Sequence, residues 1–246
     1  MTDISYIDGP NDTRLAFVHT SGEGPLIVFL SGYKSDMEGT KAVHLEAWAK
    51  ATGRAFLRLD YSGHGASGGV FEDGCIGDWA ADAEAIITSV TRGPVVLVGS
   101  SMGGWIASLM TKRLDNVIGF VGIAAAPDFT EDGFWAGFSQ DQRDTILRDG
   151  SVALPSDYGD PYIVTRRLIE DGRNNLVLRD PLPMPFPVRL MQGTEDTAVT
   201  RETALALLDH IDGPDVQLTF VKGVDHRFSD PSCLEMIERA IVDVGG

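Results

Sequence analysis

"VVLVGSSMGGW", residues 95–105, runs from four apolar residues into two serines fenced by glycines. The apolar run has the character of a strand covered on both faces, and residues 103–114 behind it carry a helical pattern. Gly99-Ser100-Ser101-Met102-Gly103 therefore stands at a strand-to-helix corner and matches G-x-S-x-G in the setting that pattern requires. Only small neighbours allow so sharp a turn, which leaves the central hydroxyl exposed at the carboxyl edge of the sheet. Ser101 is the candidate nucleophile. The competing reading, a glycine-rich turn without chemistry, leaves the flanking strand and helix unexplained.

Outward from that corner, strand-like and helix-like segments alternate along the chain. Residues 4–7 and 14–19 flank the turn-rich "DGPND" and read as an antiparallel hairpin. Residues 26–32, 55–61, 95–100, 117–125, 188–193 and 216–221 read as further strands, with helices at 37–51, 78–91, 103–114, 201–211 and 231–243. This alternation predicts an α/β fold: an eight-stranded, mostly parallel sheet with helices on both faces. Residues 127–186 break the rhythm. They hold no strong strand, only short helical patterns such as "SQDQRDTILRDG" and "DPYIVTRRLIEDG", so a helical lid inserted into a single domain spanning 1–246 is expected. Phe129, Phe134, Trp135 and Phe138 fall close together there and serve either as the lid's own core or as lining for an apolar substrate pocket.

The 246 residues hold 20 Lys plus Arg against 36 Asp plus Glu, a net charge of −16. Such a surface repels nucleic acid and anionic lipid, so neither is expected as a partner. No apolar run approaches the roughly 18 residues of a membrane span, and stable membrane insertion is not expected. The N-terminal "MTDISYIDGPNDTR" has acids where a secretory leader has basic residues and an apolar stretch, which predicts a cytoplasmic protein. Cys75 and Cys233 show no metal or redox spacing and read as reduced, partly buried residues, so neither a metal nor another cofactor is expected.

A serine hydroxyl needs a base, and the base needs an orienting acid. For this kind of elbow the chain order is serine, acid, histidine. "TEDTAV" follows the strand "VRLMQG", and "KGVDHRFSD" follows the last strand, so Asp196 and His226 leave the same sheet edge as Ser101. Asp196 is preferred over its neighbour Glu195, which reads as surface charge. His44 and His210 lie within helices and His19 in an outer strand. His64, in "DYSGHGASGG", precedes the nucleophile and reads as a loop residue, while Asp225 reads as a charge that fixes its loop. For the developing oxyanion, one N–H comes from Met102 and a second from Tyr33, which follows Gly32 at the end of "LIVFLSG". Phe134, Trp135 and Phe138 are expected, with Tyr33, to contact substrate.

Together "LSGYKSD", "DYSGHGASGG", "GSSMGGW", "QGTEDTAV" and "GVDHRFSD" resemble the α/β-hydrolase family over essentially the whole chain. "SGYKSDMEGTKA", "LRLDYSGHGASGG" and "LVGSSMGGWIA" are more narrowly similar to its mitochondrial mycophenolic acid acyl-glucuronide esterase and palmitoyl-protein thioesterase branch. The resemblance implies an α/β-hydrolase fold, hydrolysis of carboxylic esters or thioesters, and carry-over of Ser101, Asp196 and His226 from matching motifs. It also implies a small-molecule or acyl-protein substrate. The chain begins at its first strand without a transit peptide, so a bacterial relative is expected, monomeric or homodimeric. A peptidase or amidase, and a ligand-binding protein that has kept only the fold, remain as alternative readings. A nucleophilic aspartate is disfavoured because position 101 is serine.

Overall fold

Leu26–Leu30 and Val95–Val98 are unbroken apolar runs, and each becomes the buried heart of a parallel strand. The computed structural model describes residues 3–154 and 161–246. In chain order its elements are β1 (Ser5–Asp8), β2 (Arg14–Thr20), β3 (Glu23–Leu30), α1 (Thr40–Thr52), β4 (Arg54–Leu59), α2 (Ile76–Val90), β5 (Val95–Ser100), α3 (Met102–Arg113) and β6 (Val117–Ile123). They continue with α4 (Gln140–Asp149), β7 (Ser151–Leu154), β8 (Tyr162–Thr165), α5 (Arg166–Asn174) and β9 (Leu182–Pro183). The chain closes with β10 (Val188–Gly193), α6 (Arg201–His210), β11 (Ile211–Asp212), β12 (Val216–Val221) and α7 (Pro231–Gly245). A π-helical turn at Phe129–Trp135 joins β6 to α4.

Eight strands form one sheet in the order β1-β2-β4-β3-β5-β6-β10-β12. The β1–β2 and β2–β4 pairings are antiparallel, and every pairing from β4 to β12 is parallel. The expected α/β architecture is the one the chain adopts. Successive strand residues face opposite sides of the sheet. Val95 and Leu97 accordingly pack with α2 and α3 in one core, while Val96 and Val98 pack with α1 and α7 in the other. Each fully buried Val, Leu or Ile contributes about 1.5–3 kcal/mol, so apolar burial on both faces holds the central strands. Cys75 sits in the first core and Cys233 in the second, both fully buried and unpaired.

Residues 127–186 differ from the purely helical insertion expected. α4 and α5 are present, but β7 and β8 form an antiparallel hairpin with Val152 opposite Val164, and β9 pairs with β11. "YIVT", read as part of a helix, is a β-branched and aromatic run that pairs as a strand, after which Thr165 caps α5 by accepting the Leu168 N–H. Ser139 and Gln142 form a capping box at the start of α4. Asp128 joins the two ends of the stretch: fully buried, it accepts the Val177 N–H at 2.8 Å and the Leu178 N–H at 2.9 Å. Residues 155–160 of the expected lid lie outside the described residues.

Candidate active site

The parallel strands β3, β5, β10 and β12 all end at one edge, and each is followed by a segment that reaches a common cleft. Ser101, between β5 and α3, has φ 55° and ψ −122°. Such a conformation costs a non-glycine residue about 1–3 kcal/mol and persists only where its surroundings over-determine it. Here they do: the Ser101 N–H donates to Ile123 O, and its carbonyl accepts from the Gly104 and Ala126 N–H groups. The glycines at this corner are needed for space. A β-carbon at Gly99 would overlap the Gly103 carbonyl, and one at Gly104 would overlap the side chain of Ala125.

His226 Nε2 lies 3.1 Å from Ser101 Oγ, and His226 Nδ1 lies 2.8 Å from Asp196 Oδ2. The Asp196 side chain is fully buried, whereas Glu195 beside it is exposed. Asp196 Oδ1 accepts the Ala198 and Val199 N–H groups at 2.8 Å, and Oδ2 accepts from Gln192 Nε2 at 2.9 Å. Burial pushes the Asp196 carboxyl up, but the hydrogen bonds from His226 and the backbone outweigh it and hold the group below its ordinary value. An ionised Asp196 assigns the imidazole proton to Nδ1, which turns the Nε2 lone pair toward the Ser101 hydroxyl.

The remaining histidines lie elsewhere. His64 is buried, its Nδ1 lies 3.1 Å from Ser62 O, and it packs against Tyr61, Phe71 and Trp79. Burial lowers it to about 4. His44 meets Glu238 at 2.6 Å, His210 approaches Ala206 O, and His19 is exposed. Asp225 is exposed and accepts the Arg227 N–H.

Ser101 opens into a cavity of about 1000 Å³. Gly32 borders it so closely that a β-carbon there would stand 3.2 Å from Ser101 Cβ, which brings the backbone leading into Tyr33 beside the serine. Met102, the first residue of α3, also lines the cavity. Tyr33 is the hub of an aromatic wall, with ring centroids 5.6 Å from Phe129, 6.1 Å from Phe134 and 5.9 Å from Tyr162. Burial drives its phenol above the ordinary range, so it stays protonated. Lys34, Lys41 and Arg227 line the cavity together with the carboxylate of Asp36. Burial lowers Lys41 to about 8 against the opposing pull of Asp225.

Two expected substrate contacts are corrected. Trp135 and Phe138 do not line the cavity: Trp135 lies under the guanidinium groups of Arg143 and Arg173, and Phe138 packs against Trp135 and Phe134. Phe129 and Tyr162 line it instead. Four aromatics close together in sequence offer no signal that separates Phe129 and Phe134 from the other two. Tyr162 was hidden in a segment read as helix. Among the described residues, no group of three or more His, Cys, Asp or Glu converges to hold a metal ion, and no helix is long and apolar enough to cross a membrane.

Residues 27–234 match the alpha/beta hydrolase family. The mitochondrial palmitoyl-protein thioesterase ABHD10 of Bos taurus is 33% identical over 249 residues, which cover 99% of this chain and 80% of the relative. Among solved structures, a protein of Agrobacterium vitis S4 superposes with a TM-score of 0.94 at 38% identity, covering 100% of this chain and 99% of the other. The alpha/beta hydrolase domain-containing protein 10 of mouse gives a TM-score of 0.90 at 33% identity, with 98% and 97% covered. The chain belongs to the alpha/beta hydrolase family, and the mitochondrial thioesterases are its homologues. The cytoplasmic placement expected from the N-terminus does not stand, because these curated relatives are named mitochondrial. An acid-rich N-terminus speaks only against a secretory leader at those residues.

Proposed function

We propose that this member of the alpha/beta hydrolase family cleaves carboxylic acyl esters or thioesters through an acyl-enzyme formed on Ser101. His226 Nε2 takes the Ser101 proton as Oγ attacks the carbonyl carbon, and Asp196 holds the Nδ1–H and stabilises the imidazolium. The charge that forms on the carbonyl oxygen is received by the N–H groups of Met102 and Tyr33, each such donor being worth about 10²–10³ in kcat. Collapse of the intermediate expels the alcohol or thiol, which His226 protonates. Water then gives its proton to His226 as it attacks the acyl carbon, and collapse of this second intermediate breaks the bond to Ser101 Oγ, which takes the proton back from His226 as the acid leaves. No metal or organic cofactor enters these steps.

The observation that carries this reading is the continuous hydrogen-bond chain from Asp196 through His226 to Ser101 at the rim of the cavity. The wall of Tyr33, Phe129, Phe134 and Tyr162 is suited to an apolar acyl or aryl group, and the described part of the 127–186 insertion acts as the lid that presents three of these rings. Curated relatives named palmitoyl-protein thioesterases favour a fatty acyl thioester within this class.

The test is kcat/KM for p-nitrophenyl esters from acetate to palmitate, with Ser101→Ala as the blank and a fluorophosphonate probe for covalent labelling. Labelling of Ser101 with activity rising toward long chains is expected and directs the next assay to acyl thioesters. A maximum at acetate or butyrate reassigns the cavity to small carboxylic esters. Ordinary turnover by Ser101→Ala, or a folded protein that neither labels nor cleaves, overturns the proposal.

A further inference from the structure

The loop that joins β3 to α1 carries Gly32 and Tyr33, and side chains at the end of β4 hold it at both ends. Asp60 is 1% exposed. Its Oδ1 accepts the Met37 N–H at 2.7 Å, and its Oδ2 accepts the Ala66 N–H at 2.8 Å. The Met37 carbonyl accepts from Arg58 Nη1 at 2.7 Å, and Arg58 is fixed in turn by Glu46 at 2.7 Å. At the other end, the Tyr61 hydroxyl donates to Ser31 O at 3.3 Å. None of Arg58, Asp60 and Tyr61 lines the Ser101 cavity.

"DYSGHGASGG" is the sequence feature that the proposed chemistry leaves without a task, and its fold is built around this carboxylate. Gly65, at φ +46°, passes so close to Asp60 that a β-carbon would overlap the carboxyl group. Ser67 Oγ donates to Asp60 O at 2.7 Å and accepts the Ala16 N–H at 2.8 Å. The carboxylate is thus gripped on one side by the 60–67 loop, and its other oxygen reaches across to the loop that presents Tyr33.

We propose that Asp60 is a positioning residue for the oxyanion site: through Met37 it sets where the loop holds the Tyr33 N–H relative to Ser101, and Tyr61 secures the loop's other end at Ser31. The proposal rests on the assignment of Ser101 as nucleophile. Charge-assisted bonds from a carboxylate to backbone N–H groups are shorter and stronger than neutral ones. A donor misplaced by about 1 Å can cost about 100-fold in rate. Asp60→Asn keeps the shape but gives the two N–H groups only one acceptor, so one of them faces an amide NH2.

The test compares Asp60→Asn with Ser67→Ala, which loosens the 60–67 loop around Asp60 without touching Met37. Each variant is measured for kcat, KM, thermal midpoint and the Ki of a substrate-like trifluoromethyl ketone, whose tetrahedral adduct carries an oxyanion. Asp60→Asn is expected to lower kcat by about 10- to 100-fold at nearly constant KM. Its ketone Ki should rise by the same factor as kcat/KM falls, while Ser67→Ala loses thermal stability and keeps kcat. If Asp60→Asn does not fold, Tyr61→Phe is expected to give the same split between kcat and KM with a smaller loss. An unchanged ketone Ki, or a kcat loss no greater than that of Ser67→Ala at equal thermal midpoint, overturns the role of Asp60. Ser101→Ala run in parallel separates the two failures: its activity decides the nucleophile whatever Asp60→Asn does.

Discussion

Gly103, the second residue of α3, lies so close to Leu30 at the end of β3 that a β-carbon would overlap the Leu30 carbonyl oxygen. The first turn of α3 and the start of the loop that carries Tyr33 are thereby packed backbone to backbone, with no flexible side chain between them to give way. Gly103→Ala is expected to destabilise the protein by about 1–3 kcal/mol, the usual cost of overpacking. Gly137→Ala, where the added β-carbon would meet no other part of the protein within 4 Å beyond its own chain neighbours and helix backbone, should change stability little. Thermal denaturation of the two variants checks both; equal midpoints would show that the α3–β3 contact relaxes freely.

Asp196 and Glu195 are adjacent, but only Asp196 is turned inward to His226. Asp196→Asn should lower kcat by about 10⁴-fold, because the amide favours the wrong imidazole tautomer. Glu195→Gln should leave it within a factor of about two, as expected for an exposed charge. Steady-state rates on p-nitrophenyl butyrate distinguish the two residues, and a reversed order would move the orienting acid to position 195.

Phe134 and Phe138 stack 6.5 Å apart, yet only Phe134 borders the cavity. Phe134→Ala should raise KM for aryl or long-chain esters by about 2- to 10-fold, the scale of one aromatic contact. Phe138→Ala should cost about 3 kcal/mol of stability by leaving a void. An ester series and urea melts on both variants read the difference. If Phe138→Ala changes chain-length preference and Phe134→Ala does not, the wall has been assigned to the wrong face.

His64 makes a pH-dependent contribution to stability. Its folded-state value is about 4 against 6.5 for an unperturbed histidine, with burial as the cause. The unfolded chain therefore binds a proton first as pH falls, and the stability present above pH 6.5 is lost between about 6.5 and 4. Over that window the wild type should lose about 3 kcal/mol more than His64→Phe, which has no proton to bind. Urea midpoints at pH 7 and pH 4 measure this. Parallel losses in the two proteins would mean that His64 titrates normally.

Much of the fold is legible from local pattern. Unbroken apolar runs marked the buried strands, helical spacing marked the helices between them, and glycines around Ser101 marked the corner, because each of these depends on neighbours a few residues apart. β7 and β8 were missed for the same reason: four-residue strands inside a polar stretch carry too few apolar positions to establish a period, and they exist because they pair with each other. Local pattern likewise placed Asp128 in no role, since its partners Val177 and Leu178 lie at the far end of the insertion.

For the site, residue type and strand order singled out Ser101, Asp196 and His226, and the common edge on which they lie follows from a parallel sheet. Their distances could not be read in that way. Ser101 and His226 stand 125 positions apart, and they meet at 3.1 Å only through the pairing of β5, β6, β10 and β12. Which aromatics face the cavity, and the bond from Asp60 to the loop that carries Tyr33, were likewise decided by packing. A chain's local pattern constrains which element a residue occupies and which face it takes, whereas contact across the sheet depends on how all the elements are packed at once.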